Sequence, residues 1–110
     1  MPNYSKNDVV LVRYPFTDLS RSKVRPAVVV NPPHTSQDLL LVALTSKTGN
    51  LLSGEFQLTG WSQAGLNVPT AVKRGLFTIR ADLVLKKIGQ LTRDDSEQLK
   101  QSLRLWLGID

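Results

Sequence analysis

Residues 23–31 read Lys-Val-Arg-Pro-Ala-Val-Val-Val-Asn. Within them, residues 27–30 form an unbroken apolar run of strand length. Such a run, bounded by Pro26 and Asn31 and rich in β-branched valine, reads as a strand buried on both faces or nearly so. Pro26 has no amide to donate, which places it at the strand's start. Arg25 then lies just before the strand. A strand covered on both faces needs neighbours, and the flanking sequence supplies them.

Upstream, residues 8–14 (DVVLVRY) are rich in valine and read as a first strand. Residues 15–23 are polar, carry Asp18, Arg21 and Lys23, and read as an exposed loop. Downstream, Pro32, Pro33 and His34 mark a turn before a third strand at residues 39–44 (LLLVAL), expected to be the most buried. It ends at Thr45-Ser46-Lys47. Residues 55–58 alternate like a strand with one wet face, 61–65 read as a loop and 70–73 as a short strand. Residues 76–83 read as an irregular connection and 84–91 as a last strand.

The period then changes. Thr92 is a good N-cap, and Asp94, Asp95 and Glu97 put negative charge at the positive end of a helix. Leu99, Leu103, Trp106 and Leu107 fall on one helical stripe, Leu105 lies off it, and Gly108 is a stop. Many short strands followed by one helix predict a mostly β fold with a C-terminal helix. Its form is a curved antiparallel sheet or small SH3-like barrel.

The 110 residues are one domain's worth, read as a single domain over 1–110. With 41 % hydrophobic residues the core is small, so an oligomer is unsurprising. There is no cysteine and one histidine, His34, which excludes disulfides and thiolate or histidine-rich metal sites. No cofactor is expected. No segment approaches the roughly 18 apolar residues of a membrane span, and the first residues lack a signal peptide's apolar core. The expectation is a cytoplasmic protein without membrane association. A net charge of +5 favours an acidic partner, of which nucleic acid is the commonest.

Four stretches in one order resemble the MazF/PemK toxin family, whose members include mRNA interferases. They are DVVLVRYPFTD, KVRPAVVVN, LVALTS and AGLNVPTAVKRGLFTI, followed by GQLT and the closing helix. Asn7 departs from the family's usual glycine and Thr70 from its usual serine. The resemblance implies a fold of the CcdB/PemK toxin type, a homodimer, a metal-free site that cuts single-stranded RNA, and neutralisation by a cognate antitoxin peptide. In the family, the arginine of the Arg-Pro pair and the threonine ending the third strand carry catalysis. Those positions are Arg25 and Thr45 here.

The residue chemistry is compatible with that role. RNA carries its own nucleophile, the 2′-hydroxyl, so an enzyme has only to move protons and stabilise charge on the phosphorane. A guanidinium matches two phosphate oxygens and stays charged. Taken alone, Arg25 reads first as a solvated arginine beside a strand, and Thr45 as a residue bonded to nearby backbone. Candidates for RNA contact are Arg13, Asp18, Arg21, Lys23, Ser46, Lys47 and Lys73. Tyr14 and Phe16 offer stacking surfaces, with core packing favoured for Phe16. Trp61 is either a stacking platform or a dimer contact, and Trp106 reads as core. His34 and Asp18 are the candidate bases, His34 being placed far from Arg25. Lys86, Lys87, Arg93, Lys100 and Arg104 read as a solvated face. The competing functions are a toxin of the same fold that binds DNA gyrase without cutting, a plain SH3-like binding module, and a toxin that has lost activity.

Overall fold

The computed structural model describes residues 4–15, 22–32 and 34–110, and for Tyr14, Pro15 and Ser22 the backbone alone. The elements are β1 (Asp8–Pro15), β2 (Ser22–Val29), β3 (Asp38–Thr45), β4 (Phe56–Gln57), β5 (Ala71–Arg80), a 3-10 turn (Ala81–Leu83), β6 (Val84–Gln90) and α1 (Arg93–Leu107). The strands form one antiparallel sheet in the order β4-β5-β3-β2-β1-β6.

Apolar side chains lie on both faces of that sheet. Val9, Val28, Val42 and Leu44 meet one cluster, which is covered by Leu58, Ala64 and Leu66 and by Leu99, Leu103 and Trp106 of the helix. Val10, Val12, Ala27, Val29, Leu39 and Leu41 form the other, joined by Phe77 and Ile79 of β5 and Val84 of β6. β5 and β6 are not neighbours in the sheet, yet both reach the same cluster. The sheet is therefore curled enough to fold one face inward, as the expected mostly β, SH3-like architecture requires. Ala27, Val28 and Val29 are fully buried, in keeping with the run that opened the reading.

Several expectations need correction. β2 begins at Ser22, so Arg25 and Pro26 lie within the strand and pair with Val12 and Leu11. Proline is tolerated there for a local reason. Val30 donates its amide to Leu40 of β3, and by alternation the Pro26 nitrogen faces that same side. Pairing between β2 and β3 covers only Ala27–Val29, so Pro26 faces a place where no acceptor waits. Second, β5 runs on to Arg80, and residues 76–80 are strand rather than irregular connection. Gly75, Phe77 and Ile79 are half-buried while Leu76, Thr78 and Arg80 are exposed, a period of two. Third, β3 is not buried throughout, because Leu40 faces outward. Fourth, Leu107 is exposed and not part of the helix's buried stripe.

The helix starts and stops as read. The Thr92 hydroxyl accepts the Asp95 amide, and Gly108 adopts the left-handed conformation that ends the helix. Asp95 is buried, and its carboxylate accepts the amides of Thr59 and Gly60 and the Thr59 hydroxyl. That fastens the segment before Leu66 to the helix. Asn7 has a φ of 79°, which accounts for the family's preference for glycine at this place and for the tolerance of asparagine. Thr70 donates its hydroxyl to the Val68 carbonyl, a bond serine makes as well. Gly65 has a φ of 91° and its α-carbon abuts the Ile88 carbonyl of β6, leaving no room for a side chain.

Candidate active site

β2 and β3 part company beyond Ala27, and the gap between them opens a cleft of about 870 Å³. Its floor is apolar. Leu11 pairs with Pro26 on one side and Lys86 on the other, and the floor continues through Leu44 and Val72, which also pair. Leu66 and Val68, held down by the Asp95 clamp just upstream, close one end. The rim is charged. Arg25, Lys47, Lys73, Lys86 and Lys87 face it with Glu55 as the one carboxylate among the described residues.

Bulges on two strands shape this rim. Between Val42 and Leu44 of β3 the register shifts, and β5 spends Lys73, Arg74 and Gly75 opposite Ala43. The disruption lets Lys73 join Val72 in lining the cleft instead of alternating to the far face. On β6 there are two extra residues, Ile88 between the pairs Val9–Gly89 and Val10–Lys87, and Leu85 between Leu11–Lys86 and Val12–Val84. Lys86, Lys87 and Ile88 line the cleft in succession.

Of the residues expected at the site, Arg25, Thr45, Ser46, Lys47 and Lys73 line this one cleft. Arg25 and Thr45 come from adjacent strands at the point where those strands diverge. Thr45 ends β3, and its hydroxyl oxygen accepts the Lys47 amide at 3.1 Å. With an acceptor role already filled, the hydroxyl proton is directed elsewhere. Lys23 and Arg13 are exposed but are not part of the cleft lining. Asp18, Arg21 and Phe16 lie outside the described residues, as does the side chain of Tyr14. His34 is exposed, bonds Ser36 at 2.8 Å and lies beyond the opposite end of β2 from Arg25. Trp61 and Trp106 both pack against the helix-side core and are half-buried. Among the described residues, no three His, Cys, Asp or Glu side chains are grouped as metal ligands.

Glu55, Lys86 and Lys87 were not anticipated at the site. Glu55 accepts the Arg74 amide at 2.9 Å and the Leu52 amide at 2.8 Å. The Arg74 amide chiefly, then that of Leu52, holds its carboxyl below the usual range; partial burial opposes this, and the charges of Lys73 and Arg74 reinforce it. A carboxylate stabilised as an anion is a weak base, so Glu55 acts as a clasp between the turn at residue 52 and β5. Lys87 meets buried Asp8 at 3.2 Å.

Residues 5–107 match the PemK-like, MazF-like toxins of type II toxin-antitoxin systems, and the chain belongs to that family. Its fold is shared by solved structures of low sequence identity. A MazE–MazF complex from Deinococcus radiodurans superposes with a TM-score of 0.80 at 13 % identity, covering 99 % of this chain and 100 % of that one. An endoribonuclease with its cognate antitoxin from a mycobacterial species gives 0.78 at 16 %, covering 97 % of each chain. The Mycobacterium tuberculosis toxin MazF-mt6 gives 0.74 at 18 %, covering 94 % of this chain and 98 % of that one. No curated protein matches this sequence significantly.

Proposed function

We propose that the chain is the toxin of a type II toxin-antitoxin pair and a metal-independent endoribonuclease that cuts single-stranded RNA, messenger RNA included. The observation that carries this is the meeting of Arg25 and Thr45 on one cleft with an apolar floor and a rim of cations. The family membership and the endoribonuclease relatives support it.

The substrate's 2′-oxygen attacks the adjacent phosphorus after losing its proton, and the bond to the 5′-oxygen breaks as that oxygen gains one. The products are a 2′,3′-cyclic phosphate and a 5′-hydroxyl. Arg25 holds the non-bridging oxygens and stabilises the phosphorane charge, the kind of preorganised contribution that often dominates catalysis. Thr45, whose oxygen already accepts from Lys47, donates its proton to the same phosphate. Ser46, Lys47 and Lys73 hold neighbouring phosphates, and Arg13, Asp18, Arg21 and Lys23 are the further RNA contacts of the proposal. The partners are single-stranded RNA, a second copy of the chain, and an antitoxin whose acidic segment covers the cleft. The site of action is cytoplasmic; among the described residues no helix is long and apolar enough to cross a membrane.

The test is incubation of the purified protein with RNA in EDTA, followed by end analysis. Cyclic phosphate and 5′-hydroxyl ends are expected, and deoxyribose at the cut site abolishes the reaction. Cleavage that requires added magnesium, or that survives loss of the 2′-hydroxyl, overturns the proposal. A folded protein that cuts no RNA favours a toxin acting by binding alone.

A further inference from the structure

We infer that Lys86 and Lys87, on the edge strand β6, form a second phosphate-holding wall for single-stranded RNA, across the cleft from Thr45 and Lys47. The inference rests on the RNA-cutting reading above. Strand order sets the geometry. β3 and β5, with Lys47 and Lys73, lie to one side of β2, and β1 and β6 lie to the other. Arg25 on β2 is therefore flanked by cations in both directions.

β6 is two strands away from β2, about 10 Å at the usual sheet spacing. Two long side chains and one nucleotide close that span. Between the walls lies the apolar row of Leu11 and Pro26, against which a base can rest while its phosphates turn to the rim.

Lys86 and Lys87 both line the cleft, on the short stretch of β6 between two irregularities, one at Leu85 and one at Ile88. Lys87 is also fixed in place. Its ammonium meets the carboxylate of Asp8, whose side chain is only 1 % exposed against 45 % for Lys87. Asp8 is held in turn by the Ser5 amide at 2.8 Å and the Gln90 side chain at 3.0 Å. Part of the entropy of ordering Lys87 is thus lost on folding and not on binding. Lysines on an edge strand also discourage strand-to-strand aggregation. That role requires no buried carboxylate anchor. A line of cations crossing three strands suits a ligand with a charge at every residue, which RNA has and an acidic peptide has only in places.

The experiment is a salt titration of binding to an RNA carrying deoxyribose at the cut site, with wild type, K86Q, K87Q, K87R and the double K86Q/K87Q. For single strands, each lost phosphate contact lowers the slope of log affinity against log salt by about 0.7. The slope is expected to fall by that amount in each glutamine variant and by about 1.4 in the double, equally for unrelated RNA sequences. K87R keeps both the charge and the Asp8 pair and retains the wild-type slope. Lys86 does not pair with Asp8, so K86Q reads the wall even if K87Q perturbs folding. A folded K86Q with an unchanged slope, while K73Q lowers it, overturns the inference and leaves the RNA reading intact. Weakened binding of the antitoxin's acidic segment with the RNA slope unchanged assigns the wall to the protein partner and also overturns it. Wild-type protein that neither binds nor cuts RNA overturns both readings together.

Discussion

At the scale of single residues, the cleft divides chemistry from support. Arg25 and Thr45 line the cleft and are the proposed phosphate contacts, while Glu55 has both oxygens occupied by backbone amides. Arg25→Ala should lower single-turnover cleavage by about two orders of magnitude or more, the scale of losing one charge-stabilising donor. Thr45→Ala should cost less, and Thr45→Ser should recover much of that loss. Normal cleavage by a folded Arg25→Ala protein would remove the assignment. Glu55 gives a pH prediction with a definite sign. Its folded pKa lies below the ordinary value, so its contribution to stability is present above the unfolded pKa and is lost as pH falls through the folded one. Glu55→Gln should therefore lower the melting temperature at neutral pH, and the gap to wild type should close in acid. A gap that is constant from neutral to acidic pH would refute this. Arg25 and Thr45 were legible only through the family resemblance, since an arginine beside valines and a threonine ending a strand are ambiguous by themselves. Glu55 had no local signal at all, because its partners lie at residues 52 and 74 and only the fold joins them.

At the scale of elements, the apolar runs and the helix caps were readable because each is a local property. β1, the buried part of β2, β3 and α1 follow from composition and period alone. What failed to appear were features that depend on a neighbouring strand. Pro26 sits within β2 because β3 has turned away there, and no sequence window reports that departure. The lysines of β6 read as a solvated face, and only the pairing of β6 with β1 brings them to the cleft. Residues 76–80 were missed because the outward-facing Leu76 beside Phe77 disguises a period of two. The helix itself offers a graded test. Thr92→Ala removes a single cap bond and should cost about 1 kcal/mol. Asp95→Ala leaves the amides of Thr59 and Gly60 without their acceptor and should cost more, about 2–4 kcal/mol. Because that carboxylate also fixes the approach to Leu66 and Val68, the same variant should loosen RNA binding. Denaturant melts that rank Thr92→Ala as the costlier change would contradict this account of the helix start.

At the scale of the whole molecule, the outer surface retains large apolar side chains. Leu105, Leu107 and Ile109 near the helix end are each more than half exposed, as is Leu83 at the entry to β6. Light scattering at micromolar concentration should return the mass of two chains, and a single-chain mass would remove the homodimer from the proposal. Competition should also be mutual. An acidic antitoxin segment seated on the cationic rim should exclude an uncleavable RNA, and added salt should weaken both ligands. Unchanged RNA affinity at saturating antitoxin would mean that inhibition acts from another surface. The order of the strands has one more outcome, this time in the course of synthesis. β1 lies between β2 and β6, and Asp8 meets Gln90 from 82 positions along the chain. At translation speeds of about 5–20 residues per second, roughly 4 to 16 seconds separate the making of those two partners. Until β6 is made, β1 has an open edge and the cleft lacks its last wall. Of the elements that line the cleft, β6 is the last to be synthesised, so its lysine-bearing wall is the last part of the groove to form.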